Sequence, residues 1–592
     1  MKDFLKYTLA TIVGIFICAI IMGGFAMIAL VGMLASMNTT TEVKDNSVLV
    51  LNLSGVMEER SDDNTLSSLL GETGTTTGLD DMISAVKKAK VNDKIRGIYI
   101  EAGMFSPDSY ASMQALRNAL LDFKKSKKWI IAYGDTYTQG TYYISSVADK
   151  LYLNPQGQID WHGIAAQPYF LKDLLAKVGV KVQLAKVGTY KSMPEMYTAD
   201  HMSDANREQV QVYINGIWQN VVKEVSASRG ISTVKLNAYA DSLITFAAPK
   251  EYVKNKMVDR LLYTDEVKEE VKRQLKMDPS EDVNQVTVDD MATLGDPTNQ
   301  GEDEIAVYYA VGEVVSGNLG GGITANGNVI DAQVVCKDIE RLMNDDNVKA
   351  VVLRINTGGG SAYASEQIWH SLQLLKTRKP LVVSMGGMTA SGGYYISSIA
   401  NWIVAEPTTL TGSIGIFGMF PDMSGLLTEK LGVKFDEVKT NRNAGFGTLA
   451  RPFNEEEMSY LNQYIDRGYR LFRSRVAEGR RLTDGQVERV AQGRVWLGQD
   501  AVKIGLVDQL GGLDVAVRKA ASLAKTKDYY TQDYPGKVDW LDNLTSKLMG
   551  SNYLDEQMRA TMGDYYDTFM LLKRINRTEA IQARIPFNIN VR

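Results

Sequence analysis

Two long stretches of the chain carry the same alternation of short apolar runs and longer amphipathic ones. In the first, SVLVLNLSGVM (47–57), RGIYIEA (96–102) and IIAYG (130–134) are rich in aliphatic and β-branched residues. In the second, EIAVYYAVGEVVSG (304–317), KAVVLRIN (349–356) and LVVSMGG (381–387) repeat the order. The intervening segments place apolar residues at helical spacing. Strands alternating with helices of this length predict βαβ units and a largely parallel sheet in each stretch, an α/β fold. Sheets of that kind gather functional loops at the carboxyl ends of their strands. Glycine-rich segments follow those ends in the second stretch. After about Lys525 the pattern weakens into an aromatic, polar tail ending NINVR, to which no element is assigned.

The N-terminus follows a different pattern. No charged residue occurs from Tyr7 to Met37, and about 20 such residues suffice to cross a bilayer as one helix. The run is longer than the apolar core of a usual signal peptide, so a retained transmembrane anchor is expected, with cleavage after Ala35-Ser36-Met37 left open. Lys2 and Lys6 precede the run, whereas Glu42, Lys44 and Asp45 follow it as a mixed set. That bias puts the N-terminus in the cytoplasm and the remaining chain outside, the periplasmic face of an inner membrane in a bacterium.

The two stretches are related in sequence. Tyr142-Tyr143-Ile144-Ser145-Ser146 recurs as Tyr394-Tyr395-Ile396-Ser397-Ser398. Tyr110-Ala111-Ser112 returns as Tyr363-Ala364-Ser365, and Gly179-Val180-Lys181 as Gly432-Val433-Lys434, at a nearly constant shift. The chain therefore reads as a tandem duplication. The expected organisation is an anchor over 1–40, a first α/β repeat over 41–300, a second over 301–530 and a tail over 531–592.

Bulk properties narrow the chemistry. The 592 residues exceed what one core serves, in line with the duplication. A net charge of −5 without a long basic run argues against nucleic acid as a partner. Two cysteines (Cys18, Cys336) support neither a disulfide framework nor a thiolate zinc site, and three histidines (His162, His201, His370) leave little for metal or histidine-based catalysis.

Duplicated halves share a fold, so the informative positions are those where they differ. Thr357-Gly358-Gly359-Gly360-Ser361 stands where the first copy has Met104-Phe105-Ser106-Pro107-Asp108. Consecutive glycines at a strand end expose backbone N–H groups and suit an oxyanion hole; a tight turn also explains one or two of them. Ser391, in Ala390-Ser391-Gly392-Gly393, is replaced by Gln139 in the first copy. A serine on a strand-to-helix turn among small residues is presented as a nucleophile, with the Gly392 N–H beside it, although helix capping is the commoner task there. Conversely, Lys191 in VQLAKVGTYK faces Ala444 in the second copy. One half keeps the serine and the other keeps the lysine, so Lys191 is a candidate general base, with a solvated surface lysine as the plain alternative. Neutralising a lysine at pH 7 costs about 4.6 kcal/mol from its reference pKa of ~10.4, and burial in an apolar pocket can supply most of that. Ser413, in LTGSIG, stands where the first copy has Trp161 and either orients the lysine nitrogen or serves a turn.

At these residues the sequence resembles the signal peptide peptidase A family (protease IV) in its long, duplicated form, through NTGGGSAYASE, MGGMTASGGYYISS, EPTTLTGSIGIFG and KVGTYKS. The resemblance runs from the anchor to about residue 525. It implies a crotonase/Clp-like α/β fold, a Ser-Lys dyad without metal or organic cofactor, a homotetramer, and cleavage of remnant signal peptides beside the bilayer. By motif, Ser391 is the expected nucleophile, Lys191 the base and Ser413 the hydroxyl that orients it. The amides of Gly359, Gly360 and Gly392 are expected to form the oxyanion hole. Gly358 departs from the proline usual at that loop position. A crotonase-type acyl-CoA enzyme and a non-catalytic membrane scaffold are the rival readings.

Overall fold

The computed structural model describes residues 42–61, 76–317, 329–537 and 581–584, with scattered helical positions between 6 and 24. The expected anchor therefore lies mostly outside the described residues. Among those described, no helix is long and apolar enough to cross a membrane.

Each copy builds its own sheet. In the first, the path runs Thr76–Gly78, Ser47–Glu58, Ile95–Pro107, Trp129–Tyr137, Lys150–Ile159 and Arg260–Leu261, with Gln285–Val286 also pairing with Ser47–Glu58. Every pairing in it is parallel. The second copy repeats the core of this order as Asp303–Val311, Val348–Thr357, Leu381–Ala390 and Trp402–Ala405, again in parallel register. Parallel strands are covered on both faces, which is why Val351, Val352, Leu353 and Ile355 are consecutive or near-consecutive yet all buried. The helix Ala332–Asn344 buries Val335, Ile339 and Leu342, one stripe at helical spacing.

A third sheet ties the copies together. Its order is Val329–Asp331, Glu313–Val315, Gly359–Ser361, Ile581–Arg584, Phe417–Asp422 and Lys181–Lys186. The last of these belongs to the first copy, yet it pairs antiparallel with Phe417–Asp422 of the second from Lys181↔Asp422 to Lys186↔Phe417. The run 304–317, which reads as one strand in sequence, is split: Gly312 turns with φ 109° and hands the chain from the second copy's sheet to this shared one. Among the described residues past Lys525 there are two strands. Tyr529–Tyr534 extends the second copy's sheet beside Asp303–Val311, and Ile581–Arg584 enters the shared one.

A second tie is ionic. Arg354 donates to both carboxylate oxygens of Glu59 at 2.6 and 3.0 Å, and the pair is buried between the copies. Next to it, Asn356 Nδ2 donates to Asp108 Oδ2 at 2.9 Å.

Candidate active site

Ser391 follows the strand Leu381–Ala390 and precedes the helix Gly392–Ser397. Its φ of +56° is a conformation that side chains other than glycine's rarely adopt. Two hydrogen bonds hold it: its N–H donates to the Gly412 carbonyl at 2.8 Å, and its own carbonyl accepts from Tyr395 N at 2.8 Å. A bend this sharp costs about 1–3 kcal/mol and persists only where the surroundings impose it. The hydroxyl makes no cap to the helix behind it, so the capping role open in the sequence is not the one it takes here.

The lysine arrives from the other copy. Beyond the shared-sheet strand Lys181–Lys186, the loop through Gly188 and Tyr190 is stitched to the second copy: Tyr190 N–H donates to the Gln492 carbonyl at 2.8 Å, and Thr189 N–H to Gln492 Oε1 at 3.1 Å. Gln209 Nε2 bridges Tyr190 O and Ser192 Oγ at 3.0 and 2.9 Å. The Lys191 stem then passes two glycines that leave it room. A Cβ on Gly493 would stand 2.6 Å from the Lys191 Cβ, and one on Gly415 3.3 Å from its Cδ.

At the end of that path Lys191 Nζ lies 2.5 Å from Ser391 Oγ, 3.1 Å from Ser413 Oγ and 3.1 Å from the Ser413 carbonyl oxygen. All three side chains are buried. Burial pushes the lysine pKa well below its usual value, because an ammonium loses its hydration there without a carboxylate to replace it. The neighbours suit the neutral amine: two N–H groups reach the Ser413 oxygens, and the lone pair faces the Ser391 hydroxyl. Residues 191, 391 and 413 are thus brought together across 200 and 222 positions of chain.

The glycine strand Gly359–Ser361 runs beside the Ser391 turn. Its φ values of 100° at Gly359 and 159° at Gly360 go with neighbouring backbone close on both sides, Ala583 and Gly392 against Gly359 and Val314 against Gly360. A Cβ on Gly359 would stand 2.8 Å from Gly392 N. The Gly359 N–H itself donates to Thr357 Oγ1 at 3.0 Å. No histidine hydrogen-bonds any of these residues; His162 pairs with Asp160 and His201 with Asp200, both pairs at the surface. Among the described residues, no group of three or more His, Cys, Asp or Glu is disposed to hold a metal ion.

The equivalent place in the first copy is filled. The Gln139 amide nitrogen donates to Tyr110 OH and the Gly163 carbonyl at 3.1 and 3.2 Å, while its oxygen accepts from the Gly163 N–H at 3.0 Å. Trp161, where the second copy has Ser413, is buried against Tyr142 and Trp218. Sequence reading missed Gln209, Gly415, Gln492 and Gly493, which carry no reactive group; the glycine in LTGSIG and the Gln-Gly pair were the available signals.

The family model for peptidase family S49 matches residues 122–278 and 373–527, once in each copy. The chain is 37% identical over 533 residues to Protease 4 of Salmonella typhi, covering 87% of this chain and 84% of that protein. It is 33% identical over 559 residues to Protease 4 of Haemophilus influenzae, covering 90% and 88%. To the chloroplastic serine protease SPPA of Arabidopsis thaliana it is 30% identical over 559 residues, covering 92% and 78%. These relatives leave the acyl-CoA and scaffold readings without support. With both halves of its duplication matched, and a serine seated on a strained turn where one half alone retains it, the chain belongs to peptidase family S49 and is a serine peptidase of the signal peptide peptidase A type.

Proposed function

We propose that the chain is a Ser-Lys endopeptidase, anchored in a bacterial inner membrane by its apolar N-terminus, that degrades remnant signal peptides and other extended apolar peptides. The single observation that carries this reading is the 2.5 Å approach of Lys191 Nζ to Ser391 Oγ in a buried pocket. Neutral Lys191 takes the Ser391 proton as Oγ bonds to the scissile carbonyl carbon. The Gly360 and Gly392 amides face the oxyanion, with Gly359 joining them if its N–H leaves Thr357. Lys191 then gives its proton to the departing amine as the C–N bond breaks. A water attacks the ester, its proton passing to Lys191, and the acid leaves as the proton returns to Ser391. Ser413 holds the amine at the angle this needs.

The substrate class rests on the family likeness and on the apolar stretch from Tyr7 to Met37, which would keep the site beside the bilayer where cleaved signal peptides reside. The homotetramer rests on the family likeness; the exposed apolar side chains Leu431, Phe435, Val438 and Leu449 of the second copy are a surface that association between copies would cover. The test is labelling by a serine-directed fluorophosphonate together with turnover of an apolar peptide in detergent. Both are expected to vanish in Ser391→Ala and to fall together in Lys191→Ala, because the fluorophosphonate reacts with the same base-activated hydroxyl. Wild-type turnover by Lys191→Ala would refute the base.

A further inference from the structure

Lys191 lies between the strand Lys181–Lys186 and the short helix Glu195–Thr198, in a stretch that belongs to neither. No ladder of backbone hydrogen bonds fixes it, so its place depends on what grips it from outside. One neutral side chain grips both sides of it. Gln209 is buried on the helix Asp204–Arg229 of the first copy. Its Nε2 donates to the Tyr190 carbonyl at 3.0 Å and to Ser192 Oγ at 2.9 Å, the residues flanking the lysine, with Asn206 Oδ1 a third acceptor at 3.2 Å.

The other end of the same amide reaches the second copy. Gln209 Oε1 accepts from the Val495 N–H at 3.2 Å. Val495 is opposite Gly412 in the antiparallel pair of Val495–Leu497 and Leu410–Gly412. The Gly412 carbonyl holds the Ser391 N–H at 2.8 Å, and the next residue, Ser413, donates its own N–H to the Arg494 carbonyl at 2.7 Å. The base's neighbours are thereby tied to the strands that seat the nucleophile and the lysine's hydroxyl partner.

The chemistry of the side chain suits this task. A backbone carbonyl at one end requires a donor and a backbone N–H at the other requires an acceptor. An amide supplies both, whereas a carboxylate cannot donate and an ammonium cannot accept. The start of the same helix also holds the chain beyond the lysine: the Glu195 carboxylate accepts from Ser203 N–H, Ser203 Oγ and Asn206 Nδ2 at 3.1, 2.6 and 2.9 Å. The ion pair of Arg494 with Glu208 at 3.0 Å joins the copies nearby, but at the rim, where such pairs are weak. The duplication singles Gln209 out as well. Counted from the capping residues Ser203 and Asn454 of two matching 26-residue helices, its counterpart is Tyr460, which is exposed and donates to Glu456. The bridge exists only in the copy that carries the lysine.

We propose that Gln209 is the positioning residue of the dyad, locking the lysine-bearing stretch of one copy to the serine-bearing strands of the other. The role rests on the Ser391–Lys191 reading. Gln209 touches no reacting atom and acts only through Lys191.

The test is Gln209→Met, similar in length and without hydrogen-bonding groups of that kind, in steady-state kinetics on one apolar fluorogenic peptide across pH, with thermal melts alongside. A displacement of about 1 Å at a catalytic group costs about 100-fold, so kcat is expected to fall by that factor, at unchanged KM because the interaction lost is made in the transition state. Water reaches the loosened amine, so the acid limb of kcat moves to higher pH and part of the loss is regained there. A side chain that merely supports the fold would lower Tm and leave the limb where it is; that result, or wild-type kinetics, would overturn the proposal. Ser192→Ala removes one acceptor of the bridge and spares the helix. It is expected to lower kcat about threefold with the limb moving the same way, and it decides the matter if Gln209→Met does not fold: an unmoved limb and kcat there would overturn the bridge. Lys191→Met, assayed beside them, separates the two failures. Wild-type turnover in Lys191→Met would bring down the dyad reading and the bridge with it. An inactive Lys191→Met beside a Gln209→Met with wild-type kcat and limb would bring down the bridge alone.

Discussion

A lysine is a poor base in water because it is protonated there, and nothing about Lys191 changes that except where its amine is placed. The pocket supplies no carboxylate, so the shift comes from lost hydration and the sign of its effect on stability follows. The folded chain binds fewer protons at this position than the unfolded chain does, from the depressed value up to about 10.4, so wild-type stability rises with pH across that window. Lys191→Met removes the penalty. It is expected to abolish turnover, by about 10³-fold or more, while melting no lower than wild type at pH 7 and losing that advantage toward pH 10. Thermal melts at the two pH values check it; a Tm well below wild type at pH 7 would mean that the amine is charged and held by something else. Ser413→Ala removes one acceptor and keeps the carbonyl, so kcat is expected to fall about tenfold, the worth of one hydrogen bond, with KM nearly unchanged in steady-state kinetics.

What brings the amine to the hydroxyl is a strand and a glycine. The strand Lys181–Lys186 aims the chain across the boundary between the copies, and Gly493, at φ +79°, lets the lysine stem through. Gly493→Val places carbon where the Lys191 backbone and Cβ already lie. It is expected to lower kcat at least 100-fold, since a misplacement of about 1 Å at a catalytic group has that effect. Gly485→Ala, inside the helix Asp484–Val490 with nothing within 4 Å, serves as the control and leaves kinetics unchanged. Most strands were legible because a parallel sheet demands unbroken aliphatic runs, and KAVVLRIN or LVVSMGG has no other good use. Ser391 and Lys191 were legible for another reason: each differs from its own counterpart in the other copy. The shared sheet was not. Its strands are short, mixed in polarity and drawn from distant parts of the chain, so no local periodicity reveals their pairing. The two residues of Gly359–Ser361 that look like a turn in sequence are a strand only because other strands flank them.

At the scale of the molecule, the copies are held in register by groups that have no meaning within either one. Arg354 of the second copy and Glu59 of the first form a buried, bidentate pair. Removing one partner leaves an unpaired buried charge, so Arg354→Met is expected to destabilise by about 3–5 kcal/mol, whereas Arg354→Met with Glu59→Leu returns most of that loss. Denaturant titration of the two variants measures it; equal losses in both would mean that the pair does not bridge the copies. The segment 581–584 belongs to the same scale. Its residues, IQAR, give no sign in sequence of where they go, and only the gap between two strand edges explains them.

That the lysine and the serine meet within one chain has a genetic consequence. On the proposed Ser391–Lys191 reading, every active centre in an assembly of this protein would draw both groups from the same polypeptide. Mixing two dead variants, one with Ser391→Ala and one with Lys191→Met, should therefore restore nothing, however thoroughly their subunits exchange. Restored activity would mean that the amine is lent by a neighbouring copy.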